Sequence, residues 1–346
     1  MKKRVGFPRA LLYYNYSVLW TTFFKELGAE IVVSPETDKR IKDLGISTAP
    51  DEDCYSTKLY FGHVLVLKDK VDFLFIPRLG SDHELNVGCP KFIALAEVLR
   101  SILPDLPEII MPYFSMAKSG HGKLKIVEII LSIGFKFTYN PFKILRAAKR
   151  SYQAYKEYQN ELIISEEKLK QWENSEIILN DPPIREDEKE PLKIALVGHP
   201  YVINDELSSL YIRKLLQLNG VDIITSEQMP KSLIEKQMEK LDYNMYFKYS
   251  RELLGTVMHF LESKTIDGIL QLIVFSCGPD SIIGEMSTRY FRRDPEIPLL
   301  QLVLDELSSE TGLKTRIEAF LDMIERRKKI KRSEEDWHLR SLISVP

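Results

Sequence analysis

Cysteine is scarce in this sequence, with three in 346 residues, and an odd number cannot pair completely within one chain. A disulfide-stapled fold is thereby excluded, and a reducing compartment would keep all three as thiols. Glycine (16) and proline (18) are too few for a collagenous or low-complexity chain. No stretch approaches the roughly 20 uninterrupted apolar residues that a membrane span needs. The start, Met1-Lys2-Lys3-Arg4 running straight into Val5-Gly6-Phe7-Pro8, lacks the apolar run of a signal peptide. A cytoplasmic location without a membrane partner is therefore expected. Excess charge is missing too: 48 basic against 50 acidic residues give a formal net charge of -2, so nothing global favours nucleic acid as a partner. Phosphate-binding signatures are absent as well. Neither G-x-x-x-x-G-K-[ST] nor G-x-G-x-x-G occurs, and Gly120-His121-Gly122-Lys123 is too short and wrongly framed, so no ATP site is expected on this chain.

What is present is apolar material for about two domains, at 44% hydrophobic residues. Short β-rich runs at Arg4 to Phe7, Ile31 to Ser34, Val71 to Pro77 and Glu108 to Tyr113 alternate with helical patterns such as Ala10 to Leu27. A second series follows: Ile194 to Val197, a helix near Leu207 to Leu218, Val221 to Thr225, helices over Ser232 to Ser263, Ile269 to Phe275, Leu299 to Leu304, and a terminal helix from Thr315 to Arg327. Strands separated by helices imply parallel βαβ units. The expected fold is α/β, two Rossmann-like (flavodoxin-like) domains with parallel sheets, joined by a helical and acidic linker. The expected boundaries are 1–140 for the first domain, with Cys54 and Cys89, and 141–191 for a helical bridge ending in the proline-punctuated acidic run Asn180 to Pro191. The second domain, with Cys277, is expected over 192–328, and a tail over 329–346 that starts basic and forms either a surface helix or a disordered end.

The cysteines carry the chemistry. Cys54 lies in Asp51-Glu52-Asp53-Cys54-Tyr55-Ser56, Cys89 in Gly88-Cys89-Pro90, and Cys277 in Phe275-Ser276-Cys277-Gly278-Pro279-Asp280. Each precedes a helical pattern, and all three read as strand-to-helix loops, the edge where α/β domains bind ligands. A helix start offers free N–H groups and positive dipole, which suit a thiolate or an anionic metal centre. Pro90 and Pro279 suit a first helical turn, and Gly88 and Gly278 allow close backbone approach. The long, unequal spacings match neither paired zinc modules nor a compact ferredoxin run. From the residues alone, a three-cysteine metal site stands beside two other readings: buried thiols packing as small hydrophobes, and Cys277 acting as a lone nucleophile.

Six ordered segments add a resemblance: Phe7-Pro8-Arg9-Ala10-Leu11, Asp51 to His63, Cys89-Pro90-Lys91-Phe92, Gly198-His199-Pro200-Tyr201, Cys277-Gly278-Pro279-Asp280-Ser281, and Asp305-Glu306 with Glu310 to Phe320. Together they resemble the 2-hydroxyacyl-CoA dehydratase and benzoyl-CoA reductase superfamily, closest to its CoA enzyme activase-related (CoA protein activase) members, over residues 3 to about 328. The resemblance implies a 4Fe-4S cluster between the two domains, with Cys54, Cys89 and Cys277 as cofactor-binding metal ligands. It also implies a place in an ATP-activated reductase or dehydratase-like system, accepting electrons from a separate ATP-dependent activase. With three cysteines, one chain cannot hold a six-cysteine double cubane. Further implied partners are a second copy or a related subunit, and an acyl-CoA or other small-molecule substrate. Two alternatives remain: a non-catalytic electron-transfer or scaffold subunit, and a CoA- or nucleotide-binding regulatory protein without iron.

His63 and His199 are the candidate catalytic or proton-shuttling residues, with packing or capping as the alternative for each. His121 reads as a solvated turn, and His83, His259 and His338 lack motif support. Lys58 would lie one turn beyond Cys54, either offsetting cluster charge or solvated. Arg9 and Arg78 would face a cleft or pair with Asp82 or Glu84. Asp280 and Ser281 would cap a helix or touch substrate, and Glu306 and Glu310 would serve proton chemistry or sit in a solvated loop. The sequence departs from the family pattern at Asp305-Glu306-Leu307, where relatives often carry Asp-Glu-His, and at Tyr55-Ser56-Thr57.

Overall fold

The computed structural model describes residues 2–81, 87–116, 122–179 and 190–343. His83, His121 and most of the acidic run at 180–191 lie outside the described residues, as do Asp82 and Glu84, and the side chain of His338 is likewise undescribed.

In the first half, short runs of three or four residues form strands β1 (Arg4–Phe7), β2 (Glu30–Val33), β3 (Phe73–Phe75), β4 (Arg78–Ser81), β5 (Glu108–Ile110) and β6 (Tyr113–Ser115). Four of them make a parallel sheet in the order β2-β1-β3-β5, and β4 and β6 pair separately. The split has a local cause. Pro77 follows β3 and Pro112 follows β5, and a proline has no N–H to give to the ladder. Helices α1 (Tyr13–Leu27), α2 (Lys39–Thr48), α3 (Tyr55–Leu67), α4 (Pro90–Ile102) and α5 (Lys123–Gly134) flank these strands. The helix α6 (Pro141–Leu162) packs Ile144 and Ala147 into the same aromatic core as Phe7, Phe24 and Phe75.

Just beyond α6 the chain changes partners. The N–H of Ile164 donates to the Gln228 carbonyl at 3.0 Å. Helix α7 (Glu166–Glu173) then buries Trp172 in the core of the second half, where its indole N–H donates to Asp222 Oδ2 at 2.5 Å. The second half contains strands β7 (Leu192–Val197), β8 (Val221–Thr225), β9 (Gly268–Val274) and β10 (Leu299–Leu304), all parallel, in the order β10-β9-β7-β8. β7 is buried along its whole length, as expected of a strand covered on both faces. Its helices are α8 (Pro200–Ile203), α9 (Ile212–Leu218), α10 (Lys231–Met238), α11 (Lys248–Ser263), α12 (Gly278–Arg293) and α13 (Glu310–Ile343). α13 carries the expected terminal helix onward through most of the basic tail.

The two halves share one strand order. Counted within each sheet, both read 2-1-3-4 from the β2 or β8 edge, so chain direction across the sheet reverses between β1 and β3, and again between β7 and β9. In open α/β sheets, that reversal opens the crevice where ligands bind, beyond the strands' carboxyl ends. A single apolar cluster runs through both halves: Tyr55, Leu59 and Phe92 from the first, and Leu196, Leu272 and Ile317 from the second. The described fold is thus two Rossmann-like units of parallel sheet with a common core where they meet.

Candidate metal centre

All three cysteines are helix N-caps. Cys54 precedes α3, Cys89 precedes α4 with Pro90 in the first turn, and Cys277 precedes α12 with Pro279 in the first turn. Two of them match the strand-to-helix placement read from the sequence. Cys54 does not: α2 stands between β2 and its loop, so Cys54 lies in a helix-to-helix turn. What fixes that turn is close packing of α2 on α3. A Cβ on Gly45 would overlap the Lys58 carbonyl, and one on Gly62 the Ile41 carbonyl, so the two backbones meet where no side chain fits.

The three loops are tied together across the halves. The Ser276 hydroxyl donates to the Glu52 carbonyl at 3.0 Å and the Tyr55 N–H to the Phe275 carbonyl at 3.5 Å, bracketing Cys54 and Cys277. Lys91, two residues past Cys89, pairs with the buried Asp53 beside Cys54. Just before Cys89, Val87 bridges to the start of α11, its N–H donating to the Tyr246 carbonyl at 2.7 Å. Ser276 takes φ 63°, a left-handed turn uncommon for a residue with a side chain, which brings the chain round from β9 into α12.

The thiols lie close enough to feel one another's charge. Burial pushes the Cys277 thiol far above the ordinary range, and Asp280, Cys54 and Cys89 add to the shift because each would place another negative charge nearby. Burial raises Cys89 as well, with Cys54 and Asp280 contributing. First-turn N–H groups of Lys91 and Phe92 oppose the shift at Cys89, and that of Asp280 opposes it at Cys277. None of them closes as a formed cap hydrogen bond. Thr57 Oγ1 lies 3.1 Å from Cys54 Sγ. Three thiolates here, without a cation, would repel one another in a low-dielectric space; a positively charged metal core reverses that cost.

His199 joins this group from the carboxyl end of β7. Its ring is 4% exposed, stacks on Tyr201 at 4.7 Å and 11°, and meets Tyr249 edge-on. Its Nε2 lies 2.8 Å from Asp280 Oδ1, yet the alignment is not that of a hydrogen bond, and both ring nitrogens are buried without a hydrogen-bond partner. The other oxygen of Asp280 accepts the Val274 N–H at 3.0 Å. Among the described residues, the three atoms able to ligate a metal within 4.8 Å of one another belong to His199, Cys277 and Asp280; Cys54 and Cys89 stand outside that set. Tyr201 is held neutral, first by burial and then by Asp280, Cys277 and Cys54, so its phenol borders the same space.

A family model described as the CoA enzyme activase uncharacterised domain matches residues 4–229. The chain belongs to this family. It is thereby a CoA enzyme activase-related member of the 2-hydroxyacyl-CoA dehydratase superfamily. The match takes in Cys54, Cys89 and His199 and ends before Cys277 and Asp280. No curated protein matches the chain.

In this CoA enzyme activase-related chain, the other residues singled out from sequence fall in different places. His63 is fully buried on α3, nine residues beyond Cys54 and so about 13 Å along the helix axis. Its Nδ1 meets Ser34 Oγ at 2.8 Å and its Nε2 meets Thr37 Oγ1 at 3.0 Å. Burial lowers its pKa to about 4, with Arg9 adding to the effect. Lys58 is buried rather than solvated and pairs with Glu306 at 2.9 Å, locking α3 to the loop after β10. Arg9 pairs with Glu36, and Arg78 with Glu97. Ser281 donates to the Cys277 carbonyl at 3.0 Å, a helix-start role. His259 meets Glu173 at 3.2 Å. Tyr249, which no motif marked, reaches across from α11 so that its hydroxyl donates to Asn15 Oδ1 at 2.7 Å.

No described helix is long and apolar enough to cross a membrane.

Proposed function

We propose that this chain holds a 4Fe-4S cluster through Cys54, Cys89 and Cys277 and serves as the electron-accepting component of an ATP-activated, low-potential reductase or 2-hydroxyacyl-CoA dehydratase-like system. The observation that carries this reading is the convergence of three half-buried N-cap cysteines from both halves, with Cys89 and Cys277 each raised in part by the negative charge of neighbouring thiols. Cys54 and Cys89 lie outside the tight set around His199, and a cubane, being wider than one ion, needs thiolates spaced more widely than a single ion's ligands. The donor set therefore suits a cluster.

Such a group, bound by three thiolates, supplies a low-potential electron and one iron that no protein sulfur reaches. The chain's own residues do the rest. First-turn N–H groups of Lys91, Phe92 and Asp280 stabilise negative charge on the sulfurs. Tyr201, Tyr249 and the shared apolar core back the half-buried thiols. The pair Lys58 and Glu306 and the bonds around Ser276 hold the two halves at a fixed separation. An activase that hydrolyses ATP is a separate protein in this scheme, in keeping with the lack of a phosphate loop in the sequence. A second copy or a related subunit, and an acyl-CoA or similar small substrate, complete the proposed system, which operates in the cytoplasm.

The reading is tested by anaerobic purification followed by visible absorption and by reduction with an ATP-driven activase of the superfamily. A brown protein whose absorption bleaches on ATP-dependent reduction is expected. A colourless protein that stays colourless after anaerobic reconstitution with iron and sulfide contradicts it.

A further inference from the structure

His199 lies just beyond the carboxyl end of β7 and Cys277 just beyond that of β9, the neighbouring strands at which the order of the second sheet reverses. Asp280, in the first turn of α12, completes a set of one nitrogen, one sulfur and one oxygen within 4.8 Å. A buried imidazole normally has a partner for at least one nitrogen, because a buried polar atom left unpaired is costly. Here neither nitrogen makes an aligned hydrogen bond, although Nε2 lies 2.8 Å from a carboxylate oxygen. Two groups that approach closely without the alignment of a hydrogen bond can serve as ligands of one ion. Bonds of about 2.0 Å to nitrogen and oxygen and about 2.3 Å to sulfur, arranged tetrahedrally, place neighbouring ligand atoms between about 3 and 4 Å apart, so Nε2 and Oδ1 would open by about half an ångström to share one.

Each of the three is also held by a second contact. The imidazole is stacked on Tyr201, Asp280 Oδ2 accepts the Val274 N–H, and the Cys277 carbonyl accepts from Ser281. Supporting contacts of this kind orient metal ligands.

We propose that His199, Cys277 and Asp280 form a site for a single divalent ion of borderline softness, zinc in particular, which the chain takes up when no cluster is assembled. The mixed nitrogen, sulfur and oxygen donors and the count of three match zinc sites that keep a fourth position for water. Binding displaces the thiol proton of Cys277 to solvent. The ion and the cluster exclude each other because Cys277 belongs to both. The ion site nevertheless stands on His199 and Asp280, which the cluster reading does not require as ligands.

The test titrates metal-free, anaerobic full-length protein with Co2+, followed by displacement with Zn2+. The expected result is one ion per chain, with thiolate-to-cobalt charge transfer and tetrahedral d–d absorption. Both features persist when Cys54→Ser and Cys89→Ser are combined, vanish with Cys277→Ser, and need more than about 10-fold more metal with His199→Gln or Asp280→Asn. Loss of the signal in the Cys54→Ser/Cys89→Ser double variant, or an unchanged titration with His199→Gln, overturns the proposal. Melting curves verify folding, and His199→Phe, which retains the aromatic stacking, replaces His199→Gln if that variant is unfolded. The two readings fail separately. Cobalt binding as described in a protein that never accumulates iron and sulfide removes the cluster alone, whereas a cluster-forming protein whose metal-free form ignores cobalt removes the ion site alone.

Discussion

Two buried histidines in this chain sit in opposite surroundings. Around His63, both ring nitrogens meet hydroxyls, Ser34 on one side and Thr37 on the other. Thr37 in turn donates to Asp205 of the second half, and Asp205 also accepts from Tyr14 at 3.3 Å. Around His199 the ring is as well enclosed, yet neither nitrogen has a hydrogen-bond partner, and a thiol and a carboxylate stand beside it. The first arrangement is a closed polar network that joins the halves. The second leaves coordinating capacity unused. Burial alone therefore does not separate a structural histidine from a ligand; the inventory of its partners does.

The comparison breaks most readily at His63. His63→Ala removes a buried ring and leaves Ser34 and Thr37 short of a partner, so metal-free protein should lose about 3 to 4 kcal/mol in urea unfolding. Its metal content should be unchanged; loss of metal would merge the two regions.

Acid gives the next largest effect. His63 in the folded chain has a pKa of about 4 against an ordinary 6.5, so the unfolded chain binds the proton more readily. Its contribution is full above about pH 6.5 and declines as pH falls, until by about pH 4 some 3 kcal/mol has gone. Unfolding curves across that range should show the slope in wild type and lose it in His63→Ala. An identical slope in both would assign it to another group.

His199→Phe is expected to have the opposite sign. It keeps the stack on Tyr201 and deletes both nitrogens, and combined with Asp280→Asn, which removes the buried charge beside them, metal-free protein should gain about 1 kcal/mol. Destabilisation by that amount would mean that His199 is satisfied in the folded chain after all. The smallest effect belongs to Tyr14→Phe, which removes one long hydrogen bond while Asp205 keeps Thr37 and the Ser208 N–H. A loss of about 0.5 kcal/mol is expected, and a much larger one would show that the interdomain network depends on this phenol.

Much of the fold was legible from the sequence because its strands are short apolar runs set between helical periods, from Arg4–Phe7 to Leu299–Leu304. The caps at Cys89 and Cys277 were legible because a proline or glycine follows each at once. α2 was missed: it buries just Ile41 and Gly45, and a central glycine argues against a helix. Without α2, the sequence pattern places Cys54 in a strand-to-helix loop. Lys58 read equally well as solvated, since its partner Glu306 is far off in sequence. The difference between His63 and His199 could not be read locally either. Ser34 and Thr37, which satisfy one, and Asp280 and Tyr249, which surround the other, reach them through sheet topology.

The most direct measurement is iron and acid-labile sulfide per chain in anaerobically purified wild type and in Cys54→Ala, Cys89→Ala and Cys277→Ala. About four irons and four sulfides in wild type, lost in every one of the three variants, is the predicted result. Wild-type iron and sulfide in any single variant, or a wild type that holds neither after reconstitution, would contradict a cluster shared by the three cysteines.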